Sequence, residues 1–386
     1  MKATGIVVEY NPFHNGHRYH LKKAKENGEL VIAVMSGDFV QRGEPALVNR
    51  WRRTEMALKN GVDIVVELPV FYSTQSAEIF SRGAIGILEI LKVRNIVFGS
   101  ESGDIGILEE LAALEESENF KNILKENLKG GHSYPTAYSM SLGEATENRL
   151  VLNSNDILGL EYVKGIKYWK SGIKPIPIKR EKVGYHSVET IGDIASATGI
   201  REFIEKGIGI ERYVPEESYS VLQEEITNKN ICSLENFYPL IRMEILNQRD
   251  KLNEIQDMEV GFENRLYEGA LKNREYKEFF EYILSKRMTK GRVQRILIHI
   301  LLGIKKEFTE SMKKEIPYVR ILGFNEDGRK YLKEIMKTDD RIITSLKNIK
   351  KKLDGERKEA LEFNEKCSKI YSIINHYEDL KIPVMI

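Results

Sequence analysis

Two histidines near the start of the chain, His14 and His17, have the residue type and spacing to act on phosphate. They follow an apolar run, GIVVEY at residues 5–10, where a first strand would turn into a helix. A helix N-terminus attracts anions, and histidine donors there can stabilise the charge that grows as pyrophosphate leaves. Gly16 would let a flat base or a phosphate approach the backbone closely. The alternative, that the histidines only cap the helix or pack locally, is less favoured by this strand–turn–helix context.

A second phosphate-binding segment is predicted much further along the chain, in SATGIREFI at residues 196–204. Ser196 and Thr198 can cap the helix that follows, and its open N–H groups can hold pyrophosphate. Arg201 can add a bidentate contact to phosphate oxygens. The alternative is an ordinary helix cap without a ligand.

Several other kinds of site are disfavoured by the sequence. No G-x-G-x-x-G follows the first apolar run, which argues against a dinucleotide fold, and no G-x-x-x-x-G-K-[ST] occurs, which excludes a P-loop. The two cysteines, Cys232 and Cys367, lie far apart without metal-ligand spacing, so neither a disulfide framework nor a zinc site is expected. Neither cysteine belongs to a motif for covalent catalysis, and no protein metal ligand is predicted.

The elements that must position these residues alternate along the first 200 residues. Short β-branched runs are separated by stretches with helical periodicity, such as residues 50–61 and 76–91. This alternation predicts an α/β fold, a Rossmann-like domain with a parallel sheet. The predicted strands are GIVVEY (5–10), LVIAVMS (30–36), DIVVELP (63–69), NIVFGS (95–100) and KPIPIKR (174–180).

The pattern changes near residue 210, where a proline-containing segment begins a long, charged, helix-rich region. A chain of 386 residues suits two domains. We predict a catalytic α/β domain at residues 1–207 and a mainly helical region at residues 208–386. Within the second region, YVRILGF at residues 318–324 is predicted to be a strand or an extended packing segment.

Composition limits the class of protein. A hydrophobic fraction of 41% and a charged fraction of 30% describe a folded globular protein. With a net charge of +1, any affinity for nucleic acid must come from a local basic patch. Glu9 interrupts the first apolar run too early for a signal peptide, and ILIHILLGI, interrupted by His299, is too short to span a bilayer. We expect a cytoplasmic protein.

The residues HNGH resemble the H-x-G-H signature of the nucleotidyltransferase superfamily. Longer runs are more specific and resemble the bacterial tRNA(Met) cytidine acetate ligase family: GIVVEYNPFHNGHRYHL, SGDFVQRGEPALVNRWRRTEMALKNGVDIVVELP, FGSE and SATGIR. The resemblance is strong over the first 200 residues and looser through TKGRVQRIL and YVRILGF. It implies an enzyme that activates acetate with ATP and releases pyrophosphate. The resulting acetyl-adenylate would acetylate the exocyclic amine of the wobble cytidine of elongator tRNA(Met), giving N4-acetylcytidine.

The resemblance also implies a set of site residues. Asn155 matches an asparagine of a pattern usually written with two, but Asp156 stands at the second place here. Mg²⁺ is expected to accompany ATP. The implied catalytic residues are His14, His17 and Arg201, and the implied ATP-binding residues are Val7, Val8, Glu9, Tyr10, Asn11, Pro12, Phe13, His14, Asn15, Gly16, His17, Arg18, Tyr19, His20, Gly99, Asn155, Arg180, Ser196 and Thr198.

The loop GDFVQRGEPA, residues 37–46, follows the second predicted strand, where loops often carry function. Arg42 could hold acetate or phosphate, or it could belong to a structural loop of glycine and proline. Asp38 could bind Mg²⁺ with the ATP phosphates, or it could cap a turn.

RNA contacts are predicted on basic helix ends, which can bind the phosphate backbone. The alternative is that such charges are only a solvated face. An aromatic side chain could also receive the flipped cytidine, with Phe39, Tyr72 and Tyr185 as candidates. The first basic segment holds Lys286, Arg287, Lys290, Arg292 and Arg295; the second holds Lys347, Lys350, Lys351 and Lys352.

Two other functions compete with acetate ligation. A small-molecule adenylyltransferase would transfer AMP to a phosphorylated acceptor, but it would not need a large basic helical region. A non-catalytic RNA-binding protein could retain a degenerate form of the fold, but the intact His14, Gly16, His17 and Arg201 argue against it.

Overall fold

The computed structural model of the chain describes residues 1–132, 134–147, 154–179, 192–285, 288–347, 349 and 353–386. Some predicted functional residues lie outside these ranges: Arg180, Tyr185, Lys286, Arg287, Lys350, Lys351 and Lys352. In chain order, the strands are β1 (Ala3–Val8), β2 (Leu30–Ser36), β3 (Phe39–Val40), β4 (Glu44–Pro45), β5 (Ile64–Leu68), β6 (Asn95–Ser100), β7 (Lys174–Lys179), β8 (Val319–Phe324), β9 (Ile342–Ile343) and β10 (Val384–Met385).

The central sheet has the order β10-β8-β5-β2-β1-β6-β7, with β9 paired to β8. From β5 to β7 every neighbouring pair of strands is parallel, as the alternating sequence pattern predicts. The chain order of these strands reverses direction beside β1, and a ligand binds such a sheet beyond its carboxyl edge at this switch point. The fold therefore places the residues that follow β1 where a ligand is expected.

Both faces of the sheet are covered, which explains the apolar runs of the strands. Alternate residues of β2 point to opposite sides: Ile32 and Val34 belong to one apolar core, while Val31, Ala33 and Met35 belong to the other. All seven residues of β2 and all five of β5 are buried. The five strands predicted from the sequence are confirmed with ends that differ by two residues or fewer.

Helices surround the sheet and make up most of the C-terminal region. A 3₁₀ helix at Arg249–Glu254 joins two of them. The α-helices are α1 (Asn15–Lys25), α2 (Arg50–Lys59), α3 (Val70–Ser73), α4 (Ala77–Ile90), α5 (Ile105–Glu116), α6 (Glu118–Lys129), α7 (Tyr134–Thr146), α8 (Ser154–Tyr168), α9 (Ala197–Glu205), α10 (Glu216–Thr227), α11 (Leu234–Asn247), α12 (Phe262–Lys272), α13 (Tyr276–Ile283), α14 (Lys290–Leu302), α15 (Lys306–Met312), α16 (Glu326–Ile335) and α17 (Gly355–Asn375).

The C-terminal region also contributes to the sheet. The segment YVRILGF forms β8, which pairs antiparallel with β5, and β10 pairs parallel with β8. The predicted strand at residues 318–324 is therefore confirmed, as is the mainly helical character of the region around it. The boundary at residues 207/208 stays a prediction.

Two further sequence expectations concern the cysteines and the membrane. Cys232 and Cys367 are both buried thiols, and burial raises the pKa of the Cys232 thiol to about 11. A thiol of that pKa is a poor nucleophile at neutral pH. In the part of the chain that the structure describes, no helix has the length and apolar character needed to cross a bilayer.

Candidate active site

His14 and His17 cap the N-terminus of α1 reciprocally. His14 is the N-cap residue, and its Nδ1 accepts a 3.1 Å hydrogen bond from the backbone N–H of Gly16. The backbone N–H of His14 donates a 3.3 Å hydrogen bond to Nδ1 of His17. The two rings are stacked, with centroids 3.7 Å apart. The pair therefore forms a capping box in which imidazoles replace the usual hydroxyl and carboxylate.

This capping assigns the tautomer of both rings. Because Nδ1 accepts a backbone hydrogen bond in each histidine, the neutral imidazole must carry its proton on Nε2. Each ring thus carries its N–H on Nε2 at the start of a helix. Gly16 is required by the same geometry, since a Cβ at this position would lie 2.9 Å from Cε1 of His14. For both histidines, capping the helix is therefore compatible with the predicted contact to phosphate.

Two buried aromatic rings and a buried arginine support the turn before α1. The Tyr10 and Phe13 rings are buried, with centroids 5.0 Å and 5.8 Å from that of His17. Arg53 of α2 is fully buried and donates hydrogen bonds to the carbonyl oxygens of Glu9, at 2.8 Å, and Ser36, at 3.0 Å. These carbonyls follow β1 and end β2, so Arg53 fixes the strand ends that carry the site.

The Glu9 carboxylate lies among arginines at this edge of the sheet. It accepts a 2.7 Å hydrogen bond from the backbone N–H of Gln41. Burial raises its pKa, while that backbone contact and the charges of Arg42, Arg53 and Arg201 oppose the rise. The negative charge of Glu9 therefore interacts with the positive charges of Arg42 and Arg201 at this edge of the sheet.

The second predicted segment lies directly against the first. Ser196 is the N-cap of α9, and its hydroxyl accepts a 3.0 Å hydrogen bond from Gly199, which confirms the predicted cap. Arg201 donates a 2.9 Å hydrogen bond to the carbonyl of Asn11 and pairs at 3.2 Å with the carboxylate of Glu44. The fold thus brings Arg201 to the turn that holds His14 and His17.

Two smaller contacts complete this junction. Thr198 does not cap α9; its hydroxyl lies 3.4 Å from the Arg201 guanidinium as an acceptor. The Asn15 side chain donates to the carbonyls of Asp193, at 2.8 Å, and Arg212, at 3.0 Å. Asn15 therefore joins the start of α1 to the segments on either side of α9.

The remaining residues of the first predicted segment have varied settings. Val7 and Val8 are the last residues of β1. Arg18 and Tyr19 are exposed on α1. His20 Nε2 lies 3.0 Å from a carbonyl oxygen of β6 and donates to it as an N–H.

The end of β6 supplies a third part of the site. Gly99 lies near the carboxyl end of β6, the strand beside β1. Glu101 accepts hydrogen bonds from the backbone N–H groups of Asn155 and Asp156 at the start of α8. In return, Asp156 accepts from the hydroxyl of Ser100 at 2.5 Å and from the N–H of Glu101 at 3.1 Å. The unusual Asp156 therefore anchors the loop after β6.

Asp38 belongs to a buried cluster that we call the Arg50 network, formed by Arg50, Asp38, Glu67, Arg320 and Asp379. Arg50 pairs with Glu67 at 2.8 Å, Asp379 at 2.7 Å and Asp38 at 3.4 Å. Asp38 Oδ1 also accepts from the backbone N–H of Arg50, at 2.9 Å. Asp38 was predicted either to bind Mg²⁺ or to cap a turn, and these contacts agree with a structural role. Within the described ranges, no group of three or more His, Cys, Asp or Glu could hold a metal ion.

The aromatic candidates for the flipped base need correction. Phe39 is buried at 1% exposure and packs edge-on against Phe237 and Tyr371. Tyr72 is buried, and its hydroxyl donates to the carbonyl of Met312 at 2.7 Å. Both rings are core residues, so neither faces a cleft.

The first basic segment coincides with the start of α14. Thr289 is the N-cap of this helix, and Lys290 is exposed. Arg292 is paired with Glu259 and Arg295 with Asp257, the latter at 2.9 Å. In the second basic cluster, Lys347 is exposed. The exposed positions fit contact with RNA, whereas the paired arginines must release acidic partners to make one.

Comparison with known proteins agrees with this geometry. The family model described as HIGH nucleotidyl transferase matches residues 1–382. The chain, with its parallel sheet and its histidine pair, is thus a nucleotidyl transferase with a HIGH motif.

Similar proteins narrow the class. The chain is 44% identical to a tRNA(Met) cytidine acetate ligase of Fusobacterium nucleatum, over 99% of this chain and 98% of that protein. It is 43% identical to one of Caldicellulosiruptor saccharolyticus, over 97% and 94%. Two crystal structures of Thermotoga maritima TmcAL, each 34% identical and covering 100% of both chains, superpose with TM-scores of 0.92 for the apo form and 0.89 for the form bound with alpha-thio ATP. The chain belongs to the tRNA(Met) cytidine acetate ligase family of HIGH nucleotidyl transferases.

Sequence reasoning missed three residues that organise the site: Glu44, Arg53 and Glu101. Glu101 was visible in the FGSE motif, but its bond to α8 depends on the fold. Arg53 is one of three arginines near the start of α2, two of which are buried, and no pattern distinguishes it from Arg50 and Arg52. Glu44 carried no signal at all, because its partner Arg201 is 157 residues away.

Proposed function

We propose that this chain is an ATP-dependent acetate ligase acting on elongator tRNA(Met). It forms acetyl-adenylate and transfers the acetyl group to the exocyclic amine of the wobble cytidine, giving N4-acetylcytidine. The observation that carries the proposal is the reciprocal capping by His14 and His17, which fixes both imidazoles at a helix start with their protons on Nε2. The names of the relatives and the ATP analogue in one solved relative support it.

The first step is adenylation. An acetate oxygen attacks the α-phosphorus of ATP, the P–O bond to pyrophosphate breaks, and pyrophosphate leaves with the electron pair. Catalysis of such a step is mainly positioning and stabilisation of charge. His14 and His17 would donate Nε2–H to phosphate oxygens, and Arg201 would contact the leaving pyrophosphate beside the N-terminus of α9. No covalent protein intermediate is needed.

The second step is acyl transfer. The cytosine amine is a weak nucleophile because its lone pair is delocalised into the ring, so it requires an activated acyl group. The nitrogen attacks the acetyl carbonyl carbon, the C–O bond to AMP breaks, and AMP leaves with the electron pair. The amine loses one proton to solvent. The product is an amide, which is more stable than the anhydride it replaces.

The other ATP contacts are proposed for the turn after β1 and for the ends of neighbouring strands. Gly99 would let the adenosine approach the backbone, and Asn155 would lie beside it at the start of α8. Arg180, outside the described residues, would lie near the phosphates. Arg42 is the candidate for holding acetate, because its charge already acts on Glu9 at this edge.

Mg²⁺ is proposed to enter bound to the ATP phosphates. It would neutralise part of the charge on pyrophosphate. The described residues offer no metal-binding cluster, and Asp38 is committed to the Arg50 network, so no protein ligand is assigned. We also propose that the protein acts in the cytoplasm, where tRNA and ATP are available.

The proposed function is tested by exchange of labelled pyrophosphate into ATP. Exchange should require acetate, because only a reversible adenylation of acetate returns the label to ATP. Mass spectrometry of tRNA incubated with labelled acetate should then find the label on the wobble cytidine of elongator tRNA(Met). Absence of exchange with any short carboxylate, even with tRNA present, would contradict the proposed function. Exchange that depends on a phosphorylated acceptor would favour a small-molecule adenylyltransferase.

A further inference from the structure

The hairpin formed by β3 and β4 lies between the adenylation site and α14. One oxygen of the Glu44 carboxylate, Oε2, pairs with Arg201 Nη2 at 3.2 Å. The other oxygen, Oε1, accepts a 3.1 Å hydrogen bond from Nε2 of Gln294 on α14. Gln294 is buried, with 6% exposure. A single carboxylate therefore joins the predicted RNA-binding helix to the predicted phosphate-binding arginine.

The hairpin is also packed directly against α14. Gly43 has a φ of +73°, and a Cβ there would lie 2.1 Å from the backbone nitrogen of Arg295 and 2.4 Å from the carbonyl carbon of Gln294. These neighbours are helix backbone and cannot move aside as a flexible side chain could. The hairpin and α14 are therefore packed closely through their backbones, and α14 cannot move toward the hairpin without displacing Glu44.

We propose that Glu44 is a positioning residue for Arg201, and that Gln294 transmits the state of α14 to it. The inference rests on the proposed function, because the position of Arg201 matters only if Arg201 contacts the ATP phosphates. RNA bound at the start of α14 then alters the setting of Arg201 through Gln294 and Glu44. By linkage, ATP binding alters the affinity for RNA to the same extent.

The contacts of Arg201 explain why Glu44 should matter. The carbonyl of Asn11 holds Nη1 at 2.9 Å, whereas Nη2 is held by Glu44 and, more weakly, by Thr198 at 3.4 Å. Without the Glu44 carboxylate, the guanidinium can rotate about its remaining strong contact. A glutamine at position 44 keeps one oxygen acceptor for Arg201 and replaces the other oxygen with an NH2 donor, to which Gln294 can present its own amide oxygen by turning its amide over.

The test uses single-turnover formation of acetyl-adenylate by the full chain, with equilibrium ATP affinity and thermal unfolding measured beside it. Glu44→Ala should slow adenylation by on the order of 100-fold, the effect of a misplacement of about 1 Å. Its ATP affinity should change far less than its rate. Glu44→Gln should recover most of the rate.

Gln294→Ala removes the hydrogen bond between α14 and Glu44 but keeps the pair of Glu44 and Arg201. It should slow adenylation without tRNA by about tenfold, the factor that corresponds to the lower end of the range for a hydrogen bond to a charged group. It should also abolish the effect of saturating elongator tRNA(Met) on ATP affinity. Glu259→Ala is the matched control. It removes the ion-pair partner of Arg292, which lies on the same helix as Gln294, and it leaves the contacts of Glu44 intact. Its adenylation rate without tRNA should match the wild type.

Two results would overturn the inference. One is a folded Glu44→Ala variant with wild-type adenylation; the other is a Glu44→Gln variant as slow as Glu44→Ala, which rules out positioning through an acceptor. A failure of the proposed function is distinguishable from both results. In that case the wild-type protein itself would show no acetate-dependent exchange of pyrophosphate into ATP, and the inference about Glu44 would be contradicted as well.

Discussion

The turn with His14 and His17 follows β1, whereas the Arg50 network includes residues of β5 and β8, and the two regions use polar groups in opposite ways. In the network, Arg50 is fully buried and meets three carboxylates of the protein. In the turn, one ring nitrogen of each histidine accepts a hydrogen bond from the backbone, and the other carries the proton. Charge that is paired with opposite charge inside the protein holds the fold, whereas imidazoles that the backbone orients at a helix start suit contact with a ligand.

The largest expected effect is on the network. Arg50→Met should lower the free energy of unfolding by about 3–5 kcal/mol, because it removes the nearest cation from the buried carboxylates and leaves only the longer contacts of Arg320. Chemical denaturation measures this change. Arg329→Met is the control, since Arg329 is 66% exposed in a pair with Glu326 and should cost less than about 1 kcal/mol. Equal effects of the two variants would mean that the network is not structural.

The next effect separates the turn from the fold. Gly16→Ala places a Cβ against the His14 ring, so adenylation should slow by on the order of 100-fold through misplacement of the donor. Stability should change little, because the turn lies at the edge of the sheet. Gly172→Ala, which meets no atom within 4 Å, is the matched control. Wild-type adenylation by a folded Gly16→Ala protein would contradict the described role of Gly16.

A smaller effect is expected on RNA binding. Replacing Arg292 and Arg295 with alanine should weaken binding of elongator tRNA(Met) and reduce the salt dependence by roughly one slope unit for each lost phosphate contact. ATP binding should survive. Lys59→Ala removes a surface cation from α2 and should leave the salt slope unchanged. Unchanged affinity and slope in the double variant would show that these arginines serve only Glu259 and Asp257.

The smallest effect is the pH dependence of the network. Burial opposes ionisation of Asp379, but Arg50 and Arg320 outweigh it and hold its pKa below the usual range. The unfolded chain then binds the proton more readily, so this contribution is complete above a pH of about 4 and is lost as the pH falls through the lower folded pKa. Asp379→Asn should therefore cost about 1–2 kcal/mol at neutral pH and progressively less in acid. A cost that stays constant with pH would contradict this ion pairing.

The sequence predicted the turn better than the network for a physical reason. His14 and His17 are three residues apart, so a local pattern displays both the chemistry and the cap. The parallel strands were also predictable, because burial on both faces makes each one a β-branched run. The partners of Arg50 come from distant positions, and pairing of that kind depends on the topology of the sheet.

Other features of the structure also depend on contacts between distant parts of the chain. Phe39 and Tyr72 follow strand ends, as ligand-contacting residues often do, yet both rings are buried in the core. YVRILGF was predicted to be a strand or a packing segment, but its pairing with β5 is a long-range contact that no local pattern reveals. Glu44 and Gln294 meet only because the hairpin packs on α14.

The central claim is that His17 acts on charge that develops as pyrophosphate leaves. The most direct measurement compares His17→Ala with the wild type in single-turnover formation of acetyl-adenylate and in equilibrium ATP affinity. Loss of one preorganised donor should slow adenylation by about 100- to 1,000-fold, while ATP affinity falls far less, because only interactions stronger in the transition state accelerate the step. Adenylation near the wild-type rate by a folded protein would contradict the claim, and equal losses of rate and affinity would show that His17 only binds ATP.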